Sequence, residues 1–246
     1  MSTMHGTAVL VTGGSRGIGA ATALRLAREG ADVAFTYVQD EARAKEVAAR
    51  IEATGRKALP LRADAADAGD AAGAVNWAAD ALGRLDVLVN NAGIGALGPL
   101  ESLALADVDR VLAVNVRAAF LAAQAAAGRL PEGGRIVTVG SCMTQRVPGP
   151  GGVLYALSKT ALIGLTKGLA RELGGRGITA NLVHPGPVDT DMNPADGPHA
   201  EGQAALTALG RFGTPDEVAS MVAFLAGPEG RYVTGAEFSV DGGYAA

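Results

Sequence analysis

Short apolar runs bounded by polar or glycine-rich stretches alternate along the chain with longer segments whose apolar positions recur every three to four residues. Ala8-Val9-Leu10-Val11 is the first apolar run, and such a run without polar interruption predicts a strand buried on both faces. A helical pattern over residues 20–29 follows, then a strand at 31–37 and an alanine-rich, charge-faced helix over 41–54 that Gly55 stops. A weaker third strand at 57–62 leads to Asp64, a cap at Asp67 and a helix to about Leu82. The fourth strand is predicted at 85–90. A single amphipathic helix over 105–129 comes next, with Leu112, Val116, Phe120 and Ala123 on one stripe. Strands at 135–139 and 179–183 flank a helix over 153–173. A proline-rich loop from His184 to about Pro198, a short helix near 201–209, a helix capped by Thr214 and a last strand at 237–240 complete the chain.

Alternating β and α elements with short links predict one α/β domain over residues 1–246: a doubly wound, Rossmann-like parallel sheet of about seven strands with helices on both faces. A ligand of such a sheet binds beyond the carboxyl ends of its strands. Gly13, Asp64, Asn91, Ser141 and residues 184–190 all fall at or just past predicted strand ends, so they converge on one edge. The loop at about 187–210 is polar and poor in structural signals, which marks it as a mobile lid over a substrate.

Composition narrows the ligand. The formal net charge of −4 over 246 residues leaves no general basic footprint, so nucleic acid and anionic membranes are not expected partners and a small molecule is. A single cysteine, Cys142, cannot form an internal disulfide. No export signal precedes the first strand and no apolar segment approaches the ~18 residues needed to span a bilayer. A soluble, cytoplasmic protein is expected.

The first strand runs into Thr12-Gly13-Gly14-Ser15-Arg16-Gly17-Ile18-Gly19. A glycine turn opening a helix lets the backbone approach a ligand closely and points free N–H groups at a phosphate. Further along, Tyr155 and Lys159 are four apart on a predicted helix and share a face. An ammonium beside a phenol favours phenolate, which suits a tyrosine to general acid–base work. Ser141, just past a strand end, is placed to donate a hydrogen bond to a carbonyl oxygen.

The motifs Thr12-Gly13 to Gly19, Asn90-Asn91-Ala92-Gly93, Asn115, Ser141, Tyr155-Ala156-Leu157-Ser158-Lys159, Asn181, Pro185-Gly186 and Asp241-Gly242-Gly243 resemble the short-chain dehydrogenases/reductases in kind and order. The resemblance spans essentially the whole chain and points to the branch of 3-oxoacyl-(acyl-carrier-protein) reductases. It implies an oxidoreductase that reduces a ketone to a secondary alcohol, reversibly, by hydride transfer. Tyr155 would be the general acid/base, Lys159 would lower the Tyr155 pKa and hold the nicotinamide ribose, Ser141 would polarise the carbonyl, and Asn115 would anchor a water that relays protons. Gly13, Ser15, Arg16, Gly17, Ile18 and Gly19 would cradle the pyrophosphate, Tyr37, Asp64 and Ala65 would meet the adenosine, Asn91, Ala92 and Gly93 would lie by its ribose, and Pro185, Gly186, Val188 and Thr190 would fix the carboxamide side. The Ser141 to Tyr155 interval is one residue longer than the family's commonest spacing, so the loop between them should bulge.

Cofactor choice rests on charge. No acidic side chain closes the second strand at Phe35-Thr36-Tyr37-Val38-Gln39, and Arg16 sits in the glycine turn where it can meet a 2′-phosphate. NADP(H) is favoured over NAD(H), with Asp40 capping the next helix. Met143, Thr144, Val153, Leu154 and Met192 would line an apolar substrate pocket, for a 3-oxoacyl thioester or for a small or secondary-metabolite ketone. An acyl carrier protein would need a basic patch at the entrance, for which Arg129 and Arg176 are the candidates. The long alanine-rich helices and the apolar C-terminus resemble the family's tetramer interfaces, so a homotetramer is expected. Cys142 reads as pocket wall, Trp77 as a packed helix residue, and His184, Asp189, Asp191, Asp196 and His199 as solvated loop polarity with no metal pattern. The competing reading is a non-catalytic NADP(H)-binding sensor or scaffold.

Overall fold

The computed structural model describes residues 4–95 and 97–246. Seven strands form one sheet: β1 (Ala8–Val11), β2 (Asp32–Tyr37), β3 (Ala58–Arg62), β4 (Val87–Asn90), β5 (Arg135–Val139), β6 (Thr179–Pro185) and β7 (Glu237–Val240), in the order β3-β2-β1-β4-β5-β6-β7. Every pairing is parallel. The helices are α1 (Gly17–Arg28), α2 (Glu41–Glu52), α3 (Ala68–Leu82), α4 (Leu105–Leu112), α5 (Ala118–Ala127), α6 (Val153–Leu173), α7 (Ala200–Ala205) and α8 (Pro215–Ala226). From β1 the chain winds outward through β2 and β3, then returns to place β4 on the other side of β1. That reversal opens a crevice at the carboxyl ends of β1 and β4.

Strand alternation feeds two cores. Val9, Val11, Val33, Phe35, Val87 and Val89 pack with Leu24, Leu26, Val218 and Val222 on one face, and Leu10, Ala34, Leu88 and Ile136 pack with Ala74, Val75, Ala122 and Ala123 on the other. Small helix residues let α3 and α5 lie close on the sheet. Trp77 is half-buried against the second core. Asp67 caps α3 through the Gly69 and Asp70 N–H groups, and Thr214 and Glu217 form a reciprocal cap on α8.

Three expectations change. The segment over 105–129 is not one helix: a π-helical turn at Ala113–Arg117 divides α4 from α5. Its extra residue per turn rotates the faces, so Phe120 is half exposed to solvent while Ala118, Ala119, Ala122 and Ala123 are buried. His184 and Pro185 belong to β6 and not to the loop, because the β6–β7 ladder continues through them. The short helix likewise ends at Ala205 instead of near Leu209. No helix among the described residues is long and apolar enough to cross a membrane.

Candidate active site

The glycine turn is braced from two sides. Thr36 on β2 takes the Gly13 N–H on its hydroxyl at 2.9 Å and the Gly14 N–H on its carbonyl at 2.9 Å. Thr12 Oγ1 accepts the N–H groups of Asn91 and Ala92, both at 3.0 Å. The Asn91 amide donates to Thr12 O at 2.9 Å and Gly13 O at 3.0 Å. Asn91 therefore holds the shape of the turn, and Thr12, which the sequence left without a role, is the hub that joins β1 to β4. A Cβ on Gly19 would stand 2.2 Å from Gly13 O, and Gly17 has φ +51°, so these positions require glycine.

The mouth of α1 suits an anion. Arg16 occupies its N-cap without a side-chain bond to the helix, and no acidic residue lies in the first turn, which leaves amide hydrogens and the positive helix end open to a phosphate. Arg16 is exposed and Ser15 and Ile18 are half-buried beside it. Asp40 accepts the Arg43 N–H at 2.9 Å and caps α2; Arg43 also pairs with Asp191 of the loop after β6. Tyr37 is half-buried at the end of β2, and Asp64 spends one carboxylate oxygen on the Ala66 N–H, with Ala65 half-buried between them.

Beyond β4 and β5 stand the groups with acid–base chemistry. Asn115, on the π-helical turn, exchanges two hydrogen bonds with the Ile94 backbone, at 2.9 and 3.0 Å, and donates to Ser158 Oγ at 3.0 Å. Lys159 is buried and donates from Nζ to Val139 O at 3.0 Å. Gly93 makes room for both, since a Cβ there would meet Lys159 Nζ at 3.2 Å and Asn115 Oδ1 at 3.4 Å. Burial alone brings the Lys159 ammonium down to about 8. Lys159 Nζ lies 5.9 Å from the centre of the Tyr155 ring. Tyr155 itself is raised by burial, which outweighs a hydrogen bond with Ser141 that acts the other way. The Lys159 ammonium points to a carbonyl of β5, and desolvation is the largest influence on Tyr155.

Ser141 opens a single 3-10 turn, Cys142–Thr144, and its hydroxyl accepts the Met143 N–H at 3.2 Å. Thr144, expected in the substrate pocket, turns its hydroxyl inward, 2.9 Å from Ser141 O and 3.2 Å from His184 Nδ1. Leu154 is buried, whereas Val153 and Met192 are exposed and Met143 packs its methyl close to Gly152. The loop before Tyr155 rests on the chain at Gly98, whose N–H donates to Gly151 O at 2.9 Å. Gly186 is demanded by packing, with a Cβ there 2.6 Å from Asp241 Cα, and follows Pro185 at the end of β6. Val188 is buried and Thr190 touches the space above Gly17. Cys142 is buried, with its thiol pushed up to about 12 by desolvation first and Asp241 second; it is a wall and not a nucleophile.

Arg129 and Arg176 do not flank this site. They precede β5 and β6 and so lie at the amino edge of the sheet, where Arg129 pairs with Asp80 and Arg176 donates to Leu130 O.

An uncapped helix mouth at a sheet switch point, beside a tyrosine, a lysine and a serine, defines a nucleotide-dependent oxidoreductase. A family model described as Enoyl-(Acyl carrier protein) reductase matches residues 13–245. A short-chain dehydrogenase from Burkholderia cenocepacia J2315, solved in complex with NADP, is 56% identical with TM-score 0.98, covering 99% of this chain and 100% of that one. The cyclic-di-GMP-binding biofilm dispersal mediator protein of Escherichia coli K12 is 46% identical over all of both chains. A 3-oxoacyl-[acyl-carrier-protein] reductase of Synechocystis sp. PCC 6803 is 39% identical, covering 99% of this chain and 98% of that one. The chain belongs to the short-chain dehydrogenase/reductase family.

Proposed function

We propose that the protein is an NADP(H)-dependent reductase of small ketones. The observation that carries this reading is the meeting of Tyr155, Ser141 and Lys159 at the carboxyl edge of the sheet, beside the glycine turn. The bound dinucleotide would supply the hydride. Gly13, Ser15, Gly17, Ile18 and Gly19 would hold its pyrophosphate at the α1 mouth, Arg16 its 2′-phosphate, and Asn91, Ala92, Asp64 and Ala65 its adenosine half. Pro185, Gly186, Val188 and Thr190 would close over the other half. Asp40 is engaged in capping α2, which supports the phosphorylated cofactor. The complex of the Burkholderia relative with NADP supports it independently.

In this reading Tyr155 gives its proton to the carbonyl oxygen while Ser141 donates a second hydrogen bond to it. A phenol held protonated by burial suits that role in the direction of reduction. Lys159 restores the proton through Asn115 and water. The inward turn of Thr144 leaves Met143, Val153 and Met192 as the apolar rim. With Arg129 and Arg176 at the opposite edge of the sheet, a free ketone is favoured over a carrier-bound acyl group. Exposed apolar side chains on adjacent helices, Leu105 on α4, Phe120 on α5 and Leu157 on α6, support a homotetramer.

A second reading has one observation behind it: the Escherichia coli relative is named for binding cyclic di-GMP, which suits a nucleotide-binding sensor. The two are separated by following NADPH and NADH consumption with ketones and 3-oxoacyl thioesters, beside calorimetry with cyclic di-GMP. NADPH-dependent turnover supports the reductase. Cyclic di-GMP binding with no turnover across the panel supports the sensor.

A further inference from the structure

His184 is fully buried near the end of β6, and its ring joins three elements. Nδ1 lies 3.3 Å from the Ser141 N–H and 3.2 Å from Thr144 Oγ1, while Nε2 lies 3.1 Å from Glu237 Oε2 on β7. A backbone N–H only donates, so Nδ1 carries the lone pair and Nε2 carries the hydrogen, which goes to Glu237. Glu237 also takes Lys167 Nζ at 2.9 Å. Burial pushes its carboxyl up, but the hydrogen bonds from Lys167 and His184 outweigh this and hold it below the usual range. The ring reaches the turn only because residue 140 is glycine, where a Cβ would stand 2.7 Å from Nδ1.

Resting on the reading that Ser141 meets the substrate oxygen, we propose that His184 is a positioning residue: as a neutral imidazole tied to Glu237 and Lys167 it fixes the Ser141 turn, and protonation at Nδ1 releases it. A proton on Nδ1 could turn only to Thr144 Oγ1, whose own hydrogen goes to Ser141 O, and it would leave the Ser141 N–H without its acceptor in a dry site, where an unmade hydrogen bond costs far more than at the surface. The charged and titratable groups around the ring and the turn it holds are Glu237 on β7, Lys167 beyond it on α6, Cys142 on the turn itself with Asp241, Tyr244 and Arg146 beside it, and Tyr155 and Lys159 where α6 faces that turn. The buried face of α8 adds none, being Val218, Ala219, Val222, Ala223, Leu225 and Ala226.

Cys142, the only cysteine of the chain, is a reporter of the turn that does not depend on catalysis. The test compares the wild type with His184→Gln and His184→Ala between about pH 8 and about pH 5.5, a span in which histidine chemistry operates. Two rates are read: labelling of Cys142 by 4,4′-dithiodipyridine and NADPH-dependent reduction of ethyl acetoacetate. Glutamine offers one acceptor and one donor and does not titrate here. The ratio of wild-type to Gln-variant labelling should rise several-fold, roughly 5, on acidification, and the ratio of reduction rates should fall in step. His184→Ala should label fast at every pH. Glu237→Gln, which removes a charge that favours the imidazolium, should move the acid loss of the wild type to lower pH and carries the test if the Gln variant does not fold. Labelling ratios that stay flat with pH overturn the positioning role. Ratios that rise while no ketone is reduced leave His184 in place and overturn the reductase reading instead.

Discussion

Lys159 shows most directly that the site is built for something other than stability. Its ammonium is buried, and desolvation brings its pKa to about 8. At any pH below that value both folded and unfolded chains carry the proton, and the fold bears the full cost of the buried charge. The cost is relieved as pH climbs from about 8 towards the ordinary lysine value and is gone above it. Lys159→Met should therefore be more stable relative to the wild type near pH 7 than near pH 10, by up to about 3 kcal/mol, in urea unfolding at the two pH values. A difference that does not change with pH would contradict the buried ammonium. Arg16 gives a second prediction at this scale. Arg16→Ala should raise KM for NADPH by roughly 10- to 100-fold and barely move that for NADH, as expected for loss of one charge-assisted contact. Tyr155, raised by burial, should make alcohol oxidation speed up with alkaline pH while reduction holds near neutrality.

At the scale of elements, β-strands and most helices were legible because their apolar patterns and caps are local. Asp67, Thr214 and Asp40 all cap the helices their sequence positions indicate. The π-helical turn at Ala113–Arg117 was not legible, since α and π turns share the same residue preferences and only the tertiary fit of Asn115 between Ile94 and Ser158 selects the wider one. His184 was misread for a related reason. A proline next in sequence argues for a loop, yet the ladder with β7 carries the strand through it. Thr12 went unassigned because its partners lie 79 and 80 residues away. The tightest element is the turn into α1. Gly19→Ala would drive a methyl into Gly13 O and the Asn91 amide, and should cost about 1–3 kcal/mol of stability together with most NADPH affinity, read by thermal melting and by cofactor fluorescence.

The whole molecule brings the ends of β1, β4, β5 and β6 to one edge, and this is why scattered motifs meet. Which residues meet at that edge was readable from their places just past strand ends; the directions of Lys159, Thr144 and the two arginines were not, because each is decided by packing across the sheet. Apolar side chains left in solvent on α4, α5 and α6 are what the proposed homotetramer would cover. Light scattering should give a mass near four times 24.6 kDa, and Phe120→Glu should lower it. The measurement closest to the centre of the account is ketone reduction by Tyr155→Phe at saturating NADPH. The variant should bind NADPH as the wild type does and lose at least about 100-fold in kcat, the size expected for a general acid. A variant that reduces the same ketone at the wild-type rate would contradict the role of Tyr155 and the reductase built around it.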